Sequence, residues 1–140
     1  MTAQIEVTED IVTCLELRRI VFINEQGVSE ADERDEMDAA AVHLLARVDG
    51  KPVGSARLLT YGEMGKIGRV CVLKERRGTG LGAALIRAAV EEFRGMETVS
   101  RVKLGAQTHA IAFYEKLGFS AFGEEYDDAG IAHRDMMLLL

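Results

Sequence analysis

One segment of the chain combines arginine, glycine and threonine in a pattern that suits the binding of an anion. It runs Arg76-Arg77-Gly78-Thr79-Gly80-Leu81-Gly82 and lies between an apolar strand-like run and an amphipathic helix-like run. The first amides of a helix lack an intrahelical acceptor, and with neighbouring glycine amides they attract negative charge. The nearest acidic residues are Glu75 before the segment and Glu91 after it, so no carboxylate inside it offsets that charge. A phosphate group is the expected occupant, and a glycine-rich connection without a ligand is the competing interpretation.

The glycine spacing separates this loop from two common phosphate loops. Gly78-x-Gly80-x-Gly82 differs from the G-x-G-x-x-G of dinucleotide-binding folds, and no G-K-[ST] follows as in nucleoside-triphosphate loops. The missing lysine and magnesium-binding hydroxyl disfavour a nucleotide-binding protein. The alternating glycines instead let a pyrophosphate approach the main chain closely.

The elements on either side must hold this loop in place. Residues 66–73 (KIGRVCVL) predict a buried strand, and residues 81–93 (LGAALIRAAVEEF) predict a helix that ends near Gly95. One helical stripe collects the apolar side chains, which are Leu81, Ala84, Leu85, Ala88 and Phe93. The strand therefore delivers the loop to the first turn of an amphipathic helix.

The rest of the chain predicts the same mixture of strands and helices. The predicted elements are a strand at 4–7, a helix at 9–24 stopped near Gly27, a hairpin of 43–48 and 53–59 around Asp49-Gly50, a strand at 102–107, a helix at 110–117 closed by Gly118, and strands near 121–126 and 131–139. No repeat or linker divides this order. Residues 1–140 are therefore predicted to form a single α/β domain.

Two motifs together resemble the GNAT superfamily of N-acetyltransferases. The first is R-x-x-G-x-G, which runs from Arg77 through Gly80 to Gly82 and is similar to the acetyl-CoA loop of that family. The second is the segment 110–119 (AIAFYEKLGF), which resembles the family's A-I-x-x-Y-x-x-x-G-F. The runs VFINEQ (21–26), AQ (106–107) and GIAH (130–133) also resemble a small bacterial branch of mostly uncharacterised members.

The resemblance covers most of the chain and implies both a fold and a reaction. The implied fold is a mixed, mostly antiparallel central sheet with flanking helices, in which two strands splay apart. The implied reaction moves an acetyl group from acetyl-CoA to a primary amine by direct attack on the thioester. The alternative from another class is a non-catalytic acyl-CoA-binding or regulatory module.

The resemblance also implies where the cofactor binds. Pyrophosphate is expected on the amides of the loop, and pantetheine on the main chain around Val70, where one N–H would stabilise the tetrahedral intermediate. Many relatives have asparagine where this chain has Gln107, whose longer amide is expected to contact pantetheine or a water. The predicted cofactor-binding residues are Val70, Val72, Arg77, Gly78, Thr79, Gly80, Leu81, Gly82, Ala83 and Gln107.

The same resemblance places the hydroxyl of Tyr114 near the cofactor sulfur, where it would protonate the leaving thiolate. A tyrosine on an apolar helix is by itself more often a core residue. The general base stays open among Glu25, Asp35, Asp38 and His133, because these lie on segments that surround the acceptor in this family. Of these, Glu25 and His133 are expected to contact the acceptor.

The other histidines and both cysteines are expected to have no catalytic part. The histidines at 43, 109 and 133 show no i, i+3 or i+4 pairing, so no metal site is predicted. Cys14 and Cys71 lack C-x-x-C spacing and are predicted to be buried thiols in a reducing compartment. Because Cys71 lies between two valines, a covalent intermediate on its sulfur is not expected.

Residues 30–38 (EADERDEMD) contain six acidic side chains and one arginine. Such a run predicts a solvated loop or short helix that contributes little to the interior. Its charge could also steer a cationic acceptor, such as a polyamine, an amino sugar or a lysine-like amine. A plain solvated face is the competing interpretation.

Length and charge limit the remaining possibilities. The 140 residues carry 17 basic and 23 acidic side chains and a net charge of −6, which gives no general attraction to nucleic acid or anionic membranes. The amino terminus has no signal-peptide pattern, and the apolar runs are short, so a cytoplasmic protein is expected. The expected acceptor is a small-molecule amine or a protein lysine or amino terminus. The apolar carboxyl end, MMLLL, fits either a buried last strand or the interface of a homodimer.

Overall fold

The computed structural model describes residues 3–140, so the first two residues of the predicted domain lie outside the described residues. Within this range the strands are β1 (Ala3–Thr8), β2 (Val42–Val48), β3 (Lys51–Tyr61), β4 (Met64–Val72), β5 (Arg101–Gln107), β6 (Ser120–Asp128) and β7 (Ile131–Leu139). They form one sheet in the order β1-β2-β3-β4-β5-β7-β6, in which only the β4–β5 pair is parallel. The mixed, mostly antiparallel sheet predicted from the sequence is confirmed.

Four α-helices flank the sheet among the described residues, namely α1 (Ile11–Arg18), α2 (Glu30–Glu33), α3 (Leu81–Arg94) and α4 (Ile111–Glu115). Short 3₁₀ turns cover Glu36–Ala40, Lys74–Arg76 and Thr108–Ala110. The single helix predicted at 9–24 begins one residue after the Asp10 cap and widens into a π-helical segment at Arg19–Glu25. Gly27 follows this segment with φ +73°, as expected for a residue that stops a helix. No helix in the part of the chain that the structure describes is long and apolar enough to cross a membrane.

The core lies mainly between the sheet and α3. The buried face of α3 includes Leu81, Leu85 and Phe93 from the predicted stripe, and it packs with Ile67 and Val102 of the sheet. Ala84 and Ala88 of that stripe are half-buried. A smaller cluster on α1 and the π-helical segment packs Cys14, Leu17 and Val21 against Leu45 and Cys71. The sheet therefore carries helices on both faces.

The carboxyl-terminal residues form the last strand, β7, which is not an edge strand of the sheet. β7 pairs with β5 on one side and with β6 on the other, and Met136 is buried in the core. The terminal segment MMLLL therefore completes the sheet, although Leu139 is 76% exposed, so the predicted buried last strand is confirmed only in part.

β4 and β5 pair only over their first halves. Their parallel register runs from Met64↔Arg101 to Ile67↔Leu104, and the residues beyond these pairs have no partner across the gap. On its other side β4 has a β-bulge, because Arg69 and Val70 together lie opposite the single residue Ala56 of β3. Arg69 has φ +51°, a conformation that few residues other than glycine adopt. The splayed strand pair expected from the resemblance is thus confirmed.

Candidate active site

The loop between β4 and α3 presents a row of main-chain amides. Gly78 and Gly80 have φ of +77° and +87°, which is a left-handed conformation that glycine adopts without a Cβ penalty. The Ala84 amide donates to the Gly80 carbonyl at 3.0 Å, which is the first hydrogen bond of the helix. The amides of residues 81–83 therefore have no acceptor within the helix. The first turn of α3 has neither a side-chain cap nor an acidic residue. The first turn of α3 therefore has no side-chain acceptor for its amides, which is a condition for the predicted anion site.

The other side chains of this loop hold its shape. Thr79 Oγ1 donates to the Arg76 carbonyl at 2.6 Å. Arg77 Nε donates to the Val72 carbonyl at 3.0 Å, and its two Nη atoms lie 2.8 and 3.1 Å from the Glu25 carboxylate. This bidentate pair ties the end of the π-helical segment to the start of the loop. Glu25, expected at the acceptor, therefore lies beside the glycine loop.

A cavity of about 310 Å³ opens where β4 and β5 separate. β4 lines it with residues 66–70, and β5 lines it with Leu104, Gly105 and Gln107. The remaining wall comes from Arg57 of β3, from Phe22 and Gln26 at the π-helical segment, and from the segment around α2. Tyr114 of α4, the turn before it and the β6–β7 hairpin complete it. Val70 is among the lining residues, whereas Val72 pairs with Gly54 of β3 and lies outside the lining. The split in the sheet thus creates the space that a substrate could fill.

Tyr114 lies on the cavity wall and also packs against the core. Its ring meets Phe113 and Phe119 edge-on, with centroid distances of 5.0 and 6.2 Å. Burial raises the pKa of the Tyr114 phenol, so the hydroxyl keeps its proton at neutral pH. A protonated phenol beside the cavity can act as a hydrogen-bond donor or as an acid.

His133 of β7 also lines the cavity. Its Nδ1 is 2.7 Å from the Ile131 carbonyl, and because a carbonyl can only accept, Nδ1 carries the proton. In a neutral imidazole with this tautomer, Nε2 has the lone pair. The imidazole stacks on the ring of Tyr126 at 5.9 Å between centroids, which holds its orientation.

Tyr126 completes this wall, although the sequence analysis did not single it out. Its hydroxyl donates to Asp135 at 2.7 Å, and Lys103 lies 3.3 Å from the same carboxylate. A Cβ on Gly105 would lie 2.5 Å from the Tyr126 oxygen, so this position requires glycine. The partners come from three different strands, so no local motif could have revealed the arrangement.

Gln107 stands at the end of β5, where the cavity begins. Its side-chain amide donates to Gln26 at 3.2 Å, and its oxygen lies 2.7 Å from His109 Nε2. The amide thus links β5 to the residue that follows the π-helical segment. His109 serves this contact and does not line the cavity.

The acidic run 30–38 contains the predicted short helix, α2, and most of its residues are exposed, but three of its carboxylates face inward. Glu33 is 3% exposed and accepts a hydrogen bond from Arg18, which is 1% exposed. Asp38 pairs with the same guanidinium at 2.8 Å, and Asp35 pairs with Arg57 at 2.7 Å. The prediction of little interior contribution was wrong because buried arginines of α1 and β3 draw these carboxylates inward.

These ion pairs also bear on the choice of a base. Burial tends to raise the pKa of Asp35 and Asp38, but hydrogen bonds and charges of Arg57 and Arg18 outweigh it and hold both pKa values below their usual range. Neither carboxylate lines the cavity. Of the four candidate bases, the structure brings only His133 to the cavity wall.

Both cysteines are unpaired and buried, as predicted. Burial raises the pKa of Cys14 to about 11 and also raises that of Cys71. Cys71 Sγ lies 3.4 Å from Ser55 Oγ on the α1 side of the sheet. Neither thiol is therefore in a setting that would generate a reactive thiolate.

Comparison with known families and structures gives matches over most of the chain. Residues 15–140 match the family described as "Acetyltransferase (GNAT) domain". The chain is 36% identical over 130 residues to the uncharacterized N-acetyltransferase YjcF of Bacillus subtilis, covering 92% of both chains.

Two solved structures extend the comparison. An acyl-CoA N-acyltransferase from Pseudomonas aeruginosa superposes with a TM-score of 0.85 at 30% identity, covering 99% of each chain. A Bacillus subtilis acetyltransferase in complex with CoA superposes with a TM-score of 0.76 at 19% identity, again over 99% of each chain, and shares the fold.

Proposed function

Because this chain belongs to the GNAT acetyltransferase family, we propose that it is an N-acetyltransferase that moves an acetyl group from acetyl-CoA to a primary amine. The observation that carries the proposal is the opening between β4 and β5, which has an amide-rich loop near one end and Tyr114 on its wall. Solved relatives of this fold include one with bound CoA, which supports the choice of cofactor. Two buried, unpaired thiols are consistent with the cytoplasm as its site of action.

In this proposal the loop binds the pyrophosphate of the cofactor. The contacts are main-chain amides of residues 78–83, because α3 has neither a cap nor an acidic side chain that would compete for them. The guanidinium of Arg77 is held by Glu25 and Val72, so Arg77 contributes its backbone while its side chain fixes the loop. Thr79 has a similar role through its bond to Arg76.

The pantetheine then follows the unpaired half of β4 into the cavity. Successive residues of a strand point their main-chain groups to opposite sides, so some groups of residues 68–72 face the gap left by β5. The bulge at Arg69 and Val70 turns this stretch, and an N–H near Val70 would stabilise the oxyanion of the tetrahedral intermediate. At the end of β4 the Val72 carbonyl accepts a hydrogen bond from Arg77, which fixes the strand to the loop. Gln107 lines the cavity from β5.

The reaction proceeds by direct attack of the neutral amine on the thioester carbonyl. Nε2 of His133 accepts a proton from the amine, since Nδ1 already donates to the Ile131 carbonyl. As the carbon–sulfur bond breaks, the hydroxyl of Tyr114 gives its proton to the departing thiolate. The products are an N-acetylated amine and free CoA, and no covalent enzyme intermediate is needed.

Replacement of Tyr114 by phenylalanine tests the proposal. The ring and its edge-on contacts are kept, so the fold and acetyl-CoA binding should be preserved. Without the acid, turnover on a panel of primary amines should fall by about 10²- to 10⁴-fold. Tyr61→Phe is the matched control, because Tyr61 is 47% exposed and its hydroxyl contacts only Met37 among the described residues.

Two outcomes would contradict the proposal. A wild-type protein that binds acetyl-CoA but acetylates no amine would behave as the non-catalytic acyl-CoA-binding module. Full turnover by Tyr114→Phe would remove the assigned acid. The base is tested separately by His133→Gln, which should lower turnover by about 10²-fold or more while acetyl-CoA binding is kept.

A further inference from the structure

One buried side chain near the cavity has an unsatisfied hydrogen-bond donor. Arg57 of β3 is 6% exposed and lies among the residues that line the cavity. Its Nη1 donates to Asp35 at 2.7 Å and to Asp38 at 3.2 Å. Its Nε is buried and has no hydrogen-bond partner among residues 3–140. A buried donor without an acceptor is destabilising. Nη2, the other nitrogen on this edge of the guanidinium, also has no partner among the described residues, and unlike Nε it is not buried.

The neighbouring charges show which kind of partner is missing. Three arginines (Arg18, Arg57 and Arg69) meet three carboxylates (Glu33, Asp35 and Asp38), and each carboxylate accepts from at least one of the arginines. The cluster is therefore neutral, and its carboxylates are already paired. What remains without an acceptor among the described residues is the Nε–Nη2 edge of Arg57.

The cavity also contains groups that suit a cation. Asp32 and Asp128 are among its lining residues, on the segment around α2 and on the β6–β7 hairpin. An acceptor amine arrives mostly as an ammonium ion, and these carboxylates can attract it. The cavity volume of about 310 Å³ lies at the lower end of the range for small-molecule sites.

We propose that the acceptor is a small amino acid-like molecule whose carboxylate binds the unpaired Nε–Nη2 edge of Arg57, reaching Nη2 from the cavity, while its amine reaches the thioester. The inference rests on the proposed acetyl transfer and adds the chemical class of the acceptor. The charged residues that line the cavity are three carboxylates (Asp32, Glu33 and Asp128) and three cations (Arg57, Lys66 and Arg69). A zwitterion, which carries no net charge, matches this balance. The Nε edge of a guanidinium matches a carboxylate in a planar, paired geometry.

The first test compares acceptors that differ only in the carboxylate. Suitable pairs are lysine with cadaverine, arginine with agmatine, histidine with histamine and tyrosine with tyramine, each assayed with acetyl-CoA. A charged hydrogen bond in a buried site predicts that kcat/KM is about 10- to 100-fold higher for the amino acid of at least one pair. Transfer to the decarboxylated amines alone would overturn the inference and leave the proposed function intact.

The second test changes the guanidinium. Arg57→Lys keeps a positive charge for Asp35 and Asp38 but removes the Nε edge, so the advantage of the amino acid over its decarboxylated partner should shrink towards one. Arg47→Lys is the matched control, because Arg47 pairs with Glu6 at 2.9 Å and does not line the cavity. This control should keep the wild-type preference. An unchanged preference in Arg57→Lys would overturn the inference.

A binding measurement separates the failure of this inference from the failure of the proposed function. The N-acetylated product of the preferred amino acid, or N-acetyl-lysine if no turnover is found, is titrated calorimetrically into the wild type and into Arg57→Lys. Binding by the wild type that weakens about 10-fold or more in the variant supports the carboxylate site even without catalysis. Binding that is absent, or equal in both proteins, counts against it.

Discussion

The buried pair between Arg18 and Glu33 leads to a large predicted loss of stability. Replacing Arg18 by methionine keeps the length and much of the volume of the side chain but removes its charge. Glu33 would then be a carboxylate that is 3% exposed and has lost its hydrogen-bonded partner. Asp38 would lose two contacts, at 2.8 and 3.2 Å.

The expected cost follows from what remains after the substitution. Removing one partner of a buried ion pair costs about 3–5 kcal/mol, because the other charge stays buried. Asp38 keeps Arg57 at 3.2 Å, and Glu33 keeps Arg69 at 3.8 Å, so we expect the lower end, about 3 kcal/mol. In a domain of this size that loss lowers the melting temperature by roughly 10 °C.

Urea unfolding of the wild type and variants measures this difference. Arg19→Met is the control, since Arg19 is the next residue, is half exposed, and lies 3.7 Å from an exposed Glu16. The control should cost about 0.5 kcal/mol or less. If Arg18→Met does not fold, Glu33→Gln provides a milder test with an expected loss of about 1–3 kcal/mol. Equal stability of Arg18→Met and Arg19→Met would refute the assignment of a structural role to the acidic run.

Three further predictions concern pH, chemistry and packing. The pKa of Asp38 is lowered by Arg18 and Arg57 despite burial, so its ionised form stabilises the fold above pH about 4 and that stabilisation is lost as the pH falls below this value. Urea unfolding from pH 7 to 3 should therefore show that the free energy of unfolding falls less steeply in Asp38→Asn than in the wild type. An equally steep fall in both proteins would count against the pairing. Cys71→Ala should keep wild-type turnover, because burial raises the pKa of this thiol, and loss of turnover in a folded variant would reopen covalent catalysis. Gly65→Ala should cost about 1–3 kcal/mol of unfolding free energy, because its Cβ would lie 2.6 Å from the buried Phe93 ring, whereas no loss would mean that the ring can move aside.

Hydrophobic periodicity and turn residues predicted most of the fold. The α3 helix and the strands of the sheet follow local patterns, and Gly27 and Gly118 end helical segments with positive φ as expected. The glycine loop was predictable for the same reason, since its chemistry depends on main-chain groups that neighbouring residues place.

The ion pairs beside the cavity were harder to predict because their partners are distant in the sequence. Arg18 and Glu33 are 15 residues apart, and Arg57 and Asp35 are 22 apart. An arginine within the apolar run 53–59 was the available signal that the acidic run had a buried partner. The bulge at Arg69 had no such signal, because nothing in the local sequence requires this arginine to adopt φ +51°.

The π-helical segment illustrates another limit of sequence patterns. The apolar spacing at 9–24 predicts a helix but does not distinguish an α-helix from a wider one. In the structure the Gln26 amide reaches back to the Val21 carbonyl at 3.2 Å, five residues away. This widening brings Glu25 to Arg77 and Gln26 to Gln107, so it shapes both ends of the site.

Calorimetric titration with acetyl-CoA is the most direct test of the proposed enzyme. It compares the wild type with Gly80→Glu, which puts bulk and negative charge at the amide row, and with Gly62→Glu as the control. Gly62 and Gly80 both have positive φ and open space around an added Cβ, so the backbone strain is matched. We predict binding by the wild type and Gly62→Glu and a loss of at least about 10-fold in Gly80→Glu. No binding by the wild type, or equal binding by Gly80→Glu, would contradict the assignment of this loop to acetyl-CoA.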